Sequence, residues 1–126
     1  MFLETLMSHL YAVVVFIIFL GILISVHEWG HFITAKKRGV RVDEFALGFG
    51  PVLFSKFYNG TTYFIKLFPL GGYVKMAGDE RGQCTGDPRE FYSKPVWARS
   101  LIVLNGPAIN VVLAYVCLVF VFIFGY

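Results

Sequence analysis

The stretch that decides the fold is Leu10–His31, LYAVVVFIIFLGILISVHEWGH. From Leu10 to Val26 its only clearly polar side chain is Ser25. At about 1.5 Å per residue this run covers roughly 26 Å, close to the roughly 30 Å hydrocarbon core of a bilayer. Three ionisable residues, His27, Glu28 and His31, follow it without a break. A cleaved leader needs a basic segment before the apolar run and a small-residue cleavage site after it. Residues 1–9 hold Glu4 and His9 but no Lys or Arg, and the run ends in His27-Glu28-Trp29-Gly30-His31. The expectation is therefore a retained membrane helix that continues to about Lys37, where Lys36, Lys37 and Arg38 suit the negative helix end and Gly39 stops it.

A second apolar run, Val111–Phe124, is interrupted only by the hydroxyl of Tyr115. It spans fully if it starts near Pro107 or earlier, and Asn105-Gly106-Pro107 suggests Pro107 as the first residue of the helix proper. These two runs explain why 57% of the 126 residues are hydrophobic and the mean hydropathy is +0.68. All 11 Lys and Arg lie between Lys36 and Arg99. Basic residues are retained on the cytoplasmic side, which places the intervening loop there and both ends of the chain outside. The same flanking position accounts for the net charge of +3 without a nucleic-acid partner. Cys84 falls in the loop and Cys117 in the second run, so no disulfide is expected.

Residues 38–76 read as a small antiparallel sheet. Asn59-Gly60 is a preferred two-residue hairpin turn between Val52–Tyr58 and Thr61–Phe68. Pro69-Leu70-Gly71-Gly72 reads as a further turn before a short strand, Tyr73–Met76. The segment is unusually apolar for a cytoplasmic loop, with Phe45, Phe49, Leu53, Phe54, Phe57, Phe64 and Phe68 among its side chains. It is expected to dip into the membrane against the first helix, which requires burial in protein or a wet cavity. Residues 77–99 are polar and turn-rich and read as a mobile cytoplasmic loop. The fold class is a membrane α-helical protein with a small antiparallel β insertion: helices over 1–37 and 100–126, a membrane-reentrant β-region over 38–76, and a loop over 77–99.

The chemistry concentrates in His27-Glu28-Trp29-Gly30-His31. Residues four apart on a helix differ by about 40° in azimuth and about 6 Å in height. Both imidazoles thus project from one face and can share one Zn²⁺ at about 2.0–2.1 Å. Glu28, one position on, takes the general-base place beside a zinc-activated water. Ionisable groups at membrane depth are costly and functional by default. Asn105 and Asn110 fall at comparable depth on the second helix; each suits a substrate backbone, an active-site water or an interhelical hydrogen bond.

Four segments, HEWGHF at 27–32, KKRGVRVDEFALGFGP at 36–51, PLGGYVKM at 69–76 and NGPAIN at 105–110, together resemble the site-2 protease family of intramembrane zinc metalloproteases, and within it the bacterial regulator-of-sigma-E protease branch. The resemblance covers about residues 20–125. It implies an inner-membrane enzyme that cuts transmembrane segments, such as that of a pre-cleaved anti-sigma factor, with Zn²⁺ as cofactor. It implies His27 and His31 as ligands, Glu28 as base, and a sheet edge that holds substrate as an added strand. Leu70, Gly71, Gly72, Tyr73 and Asn110 are the expected substrate-binding residues; an exposed edge offers main-chain hydrogen bonds to an unwound peptide. The chain departs from the family in lacking the later Asn-Pro-Asp-Gly-like motif that carries a third ligand, an Asp. It therefore reads as the N-terminal portion of a longer enzyme. The competing reading is a catalytically incomplete membrane module that binds partners through its sheet edge.

Overall fold

The structure, a computed structural model, describes residues 1–125. Two long helices flank a two-stranded antiparallel sheet: α1 (Phe2–Lys37), β1 (Val42–Tyr58), β2 (Thr61–Met76) and α2 (Val96–Phe124). Single 3₁₀ turns at Arg81–Gln83 and Phe91–Ser93 punctuate the connection to α2. Both helices are long and apolar enough to cross a bilayer, and most of their large apolar side chains face outward.

α1 ends at Lys37, and the chain turns through Gly39, whose φ of 73° suits glycine. The closing bonds are Arg38 N–H to Thr34 C=O at 3.0 Å and Val40 N–H to Ala35 C=O at 2.9 Å. Inside α1 the hydroxyls of Ser25 and Thr34 donate back to the carbonyls of Gly21 and Gly30, so neither needs an outside partner.

The hairpin turns at Asn59 (φ 50°) and Gly60 (φ 79°), both left-handed as a tight two-residue loop requires. The strands are longer than their sequence suggests. Gly48 and Gly50, with φ of 84° and 87°, let β1 bend without ending. β2 runs unbroken through Pro69–Gly72, where a turn was expected, and bends at Gly71 (φ 92°). As a result Glu44–Leu47 has neighbours on both sides. Ala46 pairs with Tyr73 and Leu47 with Gly72 on one; on the other, Ala46 pairs with Phe64 and Leu47 with Ile65. Residues Thr62–Ile65 in turn pair with Phe54–Phe57. The two strands thus fold back into four paired segments, with Gly72–Lys75 and Phe54–Phe57 outermost.

One face of α1 holds this sheet. Phe32 packs on Phe45 (ring centroids 5.0 Å) and on Tyr63 (5.9 Å). Higher on the helix Gly21 meets Pro69, where any Cβ would collide with the proline carbonyl oxygen. The bend of β2 therefore lies beside the middle of the first apolar run. The small buried core, Ala35, Val40, Val42 and Ile102, joins the end of α1 and the start of β1 to α2. Thr61, fully buried, donates from Oγ1 to the Val42 carbonyl at 2.7 Å.

α2 differs from expectation. It starts at Val96 and passes through Pro107 rather than beginning there. The missing proline N–H leaves the Val103 carbonyl without its helical donor, a defect that membrane helices tolerate when neighbours compensate. The loop before α2 is also better tied than its turn-rich sequence implies. Glu90, nearly buried, accepts bonds from the Thr85 N–H (2.9 Å) and hydroxyl (2.6 Å). Arg41 N–H bonds to Arg89 C=O, and Phe91 N–H to Ala77 C=O.

Two outcomes follow. Gly21→Val forces a side chain into Pro69 and should destabilise the helix–sheet contact by about 1–3 kcal/mol, measured as a lowered thermal unfolding midpoint. In the loop, hydrogen bonding by Arg89 lowers the Asp87 pKa to about 2, and Thr85 lowers that of Glu90. A depressed carboxylate pKa contributes stability above its unfolded value of about 3.9–4.3 and loses it as pH falls through the folded value. Amide exchange at Thr85, Gly86 and Arg89, scaled for intrinsic rates, should accelerate between about pH 4 and pH 2 while the α1 amides stay protected.

Candidate metal centre and active site

His27, Glu28 and His31 lie in the last third of α1, half-buried, on the side turned towards α2. The approach of the two helices is set by glycines. A Cβ at Gly30 would stand 2.6 Å from the Asn105 carbonyl oxygen and 2.8 Å from Ile109 Cγ2. A Cβ at Gly106 would strike the His31 ring and come to 3.0 Å from His27 Cε1. The imidazoles thus fill a cradle that any larger residue at 106 would occupy.

His31 Nδ1 lies 2.7 Å from the Ile102 carbonyl oxygen. That oxygen only accepts, so Nδ1 carries the proton and Nε2 presents its lone pair as an acceptor. Nε2 in turn lies 2.9 Å from His27 Nε2, the rings meeting edge-on with centroids 4.6 Å apart. Two ligands at about 2.0–2.1 Å in a tetrahedral site stand roughly 3.3 Å apart; the two Nε2 atoms, hydrogen-bonded to each other at 2.9 Å, need part by only a few tenths of an ångström to share a zinc ion. A backbone carbonyl on the remote nitrogen is the usual way to fix a ligating imidazole. The donor set stops at two: among the described residues no group of three His, Cys, Asp or Glu is placed to hold a metal. Of the loop carboxylates, Asp87 is paired with Arg89 and Glu90 is bonded to Thr85.

Glu28 and His27 share a groove of about 410 Å³ with Leu20, Leu23, Ile24 and Asn110. Asn110 Oδ1 is buried there without a hydrogen-bond partner, which leaves it available to a bound group. Asn105 resolves the other way. Its Nδ2 donates to the Gly30 carbonyl at 3.2 Å and to Thr34 Oγ1 at 2.5 Å, making it an interhelical clamp.

Leu70, Gly71, Gly72 and Tyr73 lie on β2, and none of them lines that groove. Gly72 and Tyr73 use one side to pair with Leu47 and Ala46. The Tyr73 hydroxyl donates to Glu44 at 3.1 Å and accepts from Lys66 at 3.3 Å. The Ile102 carbonyl and Thr34 were not singled out from the sequence. A backbone oxygen has no sequence signal, whereas Thr34, four residues past Gly30 and on the same face, had one.

Comparison with known proteins places this arrangement in a class. The family model for peptidase family M50 matches residues 15–126, and the chain belongs to that family. It is 46% identical over 123 residues to a protein named Protease RseP from Yersinia pestis, covering 94% of this chain and 27% of that one. It is 44% identical over 123 residues to Regulator of sigma-E protease RseP from Salmonella typhimurium, with the same coverage. It is 45% identical over 107 residues to a putative zinc metalloprotease of Thermotoga maritima, covering 82% of this chain and 21% of that one. The chain spans about a quarter of the length of these relatives.

The Gly106 cradle yields a direct test. Gly106→Ala in the full-length protein should weaken zinc binding by about 10- to 100-fold, the range for groups that orient a ligand. Thr34→Val, which removes the Asn105 contact and the hydroxyl's bond back to the Gly30 carbonyl but touches neither imidazole, should leave zinc bound and cost about 0.6 kcal/mol of helix–helix stability. Metal analysis after dialysis separates the two.

Proposed function

We propose that this chain is the metal-binding and general-base portion of an intramembrane zinc metalloprotease, which hydrolyses peptide bonds within transmembrane segments of its substrates. The observation that carries the proposal is the convergence of His27 Nε2 and His31 Nε2 at 2.9 Å, with Glu28 beside them, on a helix continuous with an apolar span.

When bound, zinc supplies a Lewis acid and brings the pKa of its water towards 7. His27 and His31 hold it, and the Ile102 carbonyl keeps His31 in the ligating tautomer. Glu28 accepts the proton of the attacking water on its carboxylate and returns it to the nitrogen of the leaving amine. Asn110 Oδ1, unpaired in the same groove, takes a hydrogen bond from substrate main chain. The outermost segment of the sheet, Gly72–Lys75 with its neighbours Leu70 and Gly71, receives substrate as an added strand, and a peptide held extended is a peptide whose bonds can be reached. A third protein ligand, by the resemblance an Asp on a later helix of the longer protein, completes the site.

The membrane setting rests on both helices and on the sheet. β2 bends against Gly21, roughly 9 Å along α1 from His27 and towards the outer end. With α1 spanning the bilayer, the bend and its exposed Phe49, Leu53, Phe54, Phe68 and Leu70 lie in hydrocarbon. The Lys and Arg bias supports an active site near the cytoplasmic face of a bacterial inner membrane, with both termini of this chain on the outer side. A pre-cleaved anti-sigma factor is the proposed substrate type, in keeping with relatives named as regulators of sigma E.

The test is cleavage and zinc content of the full-length protein. Glu28→Gln should keep zinc and lower cleavage by about 10²- to 10⁴-fold, the usual worth of a general base. His27→Ala should lose both. Wild-type cleavage by Glu28→Gln would make the mechanism wrong.

A further inference from the structure

A second cavity, of about 450 Å³, opens where the loop meets the first turns of α2. Its charged wall is Arg81 and Arg99, and its apolar wall includes Val96, Val103 and Leu104. The Arg81 guanidinium lies 5.2 Å from the Tyr92 ring centroid and that of Arg99 lies 5.3 Å from it. Two cations thus share one aromatic ring. Neither makes an ion pair among the described residues, and no carboxylate lines the cavity. Arg99 Nε is buried with no hydrogen-bond partner. Two cations lining one cavity without a carboxylate favour an anion there, and guanidinium forks match phosphate oxygens.

The apolar wall decides which phosphate. Val96, Val103 and Leu104 are 67%, 55% and 62% exposed, and the same apolar character continues along α2 through Val111 and Val112. A water-soluble phosphate would leave that wall wet; an acyl chain would cover it. A neighbouring groove shares Leu104 and carries Lys37 and Arg38, and Arg38 stacks on Trp97 at 5.1 Å. A tryptophan and a collar of cations at one level of an apolar helix mark the interfacial zone of a leaflet.

We propose that this cavity binds an anionic phospholipid of the leaflet at the N-terminal end of α2, its headgroup phosphate between Arg81 and Arg99 and an acyl chain along Val103 and Leu104. The inference needs α2 to cross the bilayer; it does not need proteolysis. The lipid would fasten the loop and the first turns of α2 in front of Ile102, whose carbonyl orients His31.

The experiment is native mass spectrometry of the full-length protein released from bilayers of equimolar phosphatidylcholine and phosphatidylglycerol. Wild type should retain phosphatidylglycerol preferentially. Arg81→Gln and Arg99→Gln should each reduce that retention about fivefold, the worth of one basic residue near an anionic surface. The double variant should abolish the preference, and Lys56→Gln, at an exposed cation elsewhere, should leave it intact. Arg81 sits in an exposed loop, so Arg81→Gln reads the site even if a change in α2 impairs folding. Equal retention of the two lipids by wild type, or an unchanged preference in the double variant, would overturn the proposal. So would Arg99-dependent binding of inorganic phosphate in lipid-free detergent that excess phosphatidylglycerol fails to displace, since the site would then belong to a soluble anion.

Discussion

The close approach of α1 and α2 at Gly30 and Gly106 is the constraint on which everything else depends. With no Cβ at either position, the Asn105 carbonyl and Ile109 can press on α1, and the imidazoles of His27 and His31 can occupy the space over Gly106. This is how helices associate where neither water nor a large core drives them together: small residues allow backbone contact, and a few polar groups fix the register. Asn105 supplies that register through the Gly30 carbonyl and Thr34. The same contact delivers the Ile102 carbonyl to His31. Helix packing and the orientation of the His31 ring are therefore one arrangement.

α1 divides its circumference between two tasks. Gly21 and Phe32 meet the sheet, whereas His27, Gly30 and His31 meet α2. No residue of β2 lines the groove with Glu28 and Asn110, so the expected substrate strand and the proposed general base do not share it.

Much of this was legible in the sequence because it follows from local rules. Unbroken apolar runs set the two helices, Asn59-Gly60 set the hairpin, and four-residue spacing put both histidines on one face. What was not legible depended on partners distant in the chain. Pro107 reads as a helix start by itself, but α2 passes through it. Pro69-Leu70-Gly71-Gly72 reads as a turn, but pairing with Leu47 and contact with Gly21 keep it in a bent strand. Asn105 and Asn110 are chemically identical, and only geometry separates the one that clamps the helices from the one with an unpaired oxygen. The 77–99 loop reads as mobile because nothing in its composition announces that Glu90 gathers the amide and hydroxyl of Thr85.

On the proposed function, the helix contact presents two imidazole nitrogens to one metal ion. X-ray absorption at the zinc edge of the full-length protein reads those ligands. The expected spectrum has two imidazole nitrogens at about 2.0–2.1 Å, with the outer-shell scattering of rigid rings. A zinc shell of oxygen or sulfur ligands, without imidazole, would contradict it.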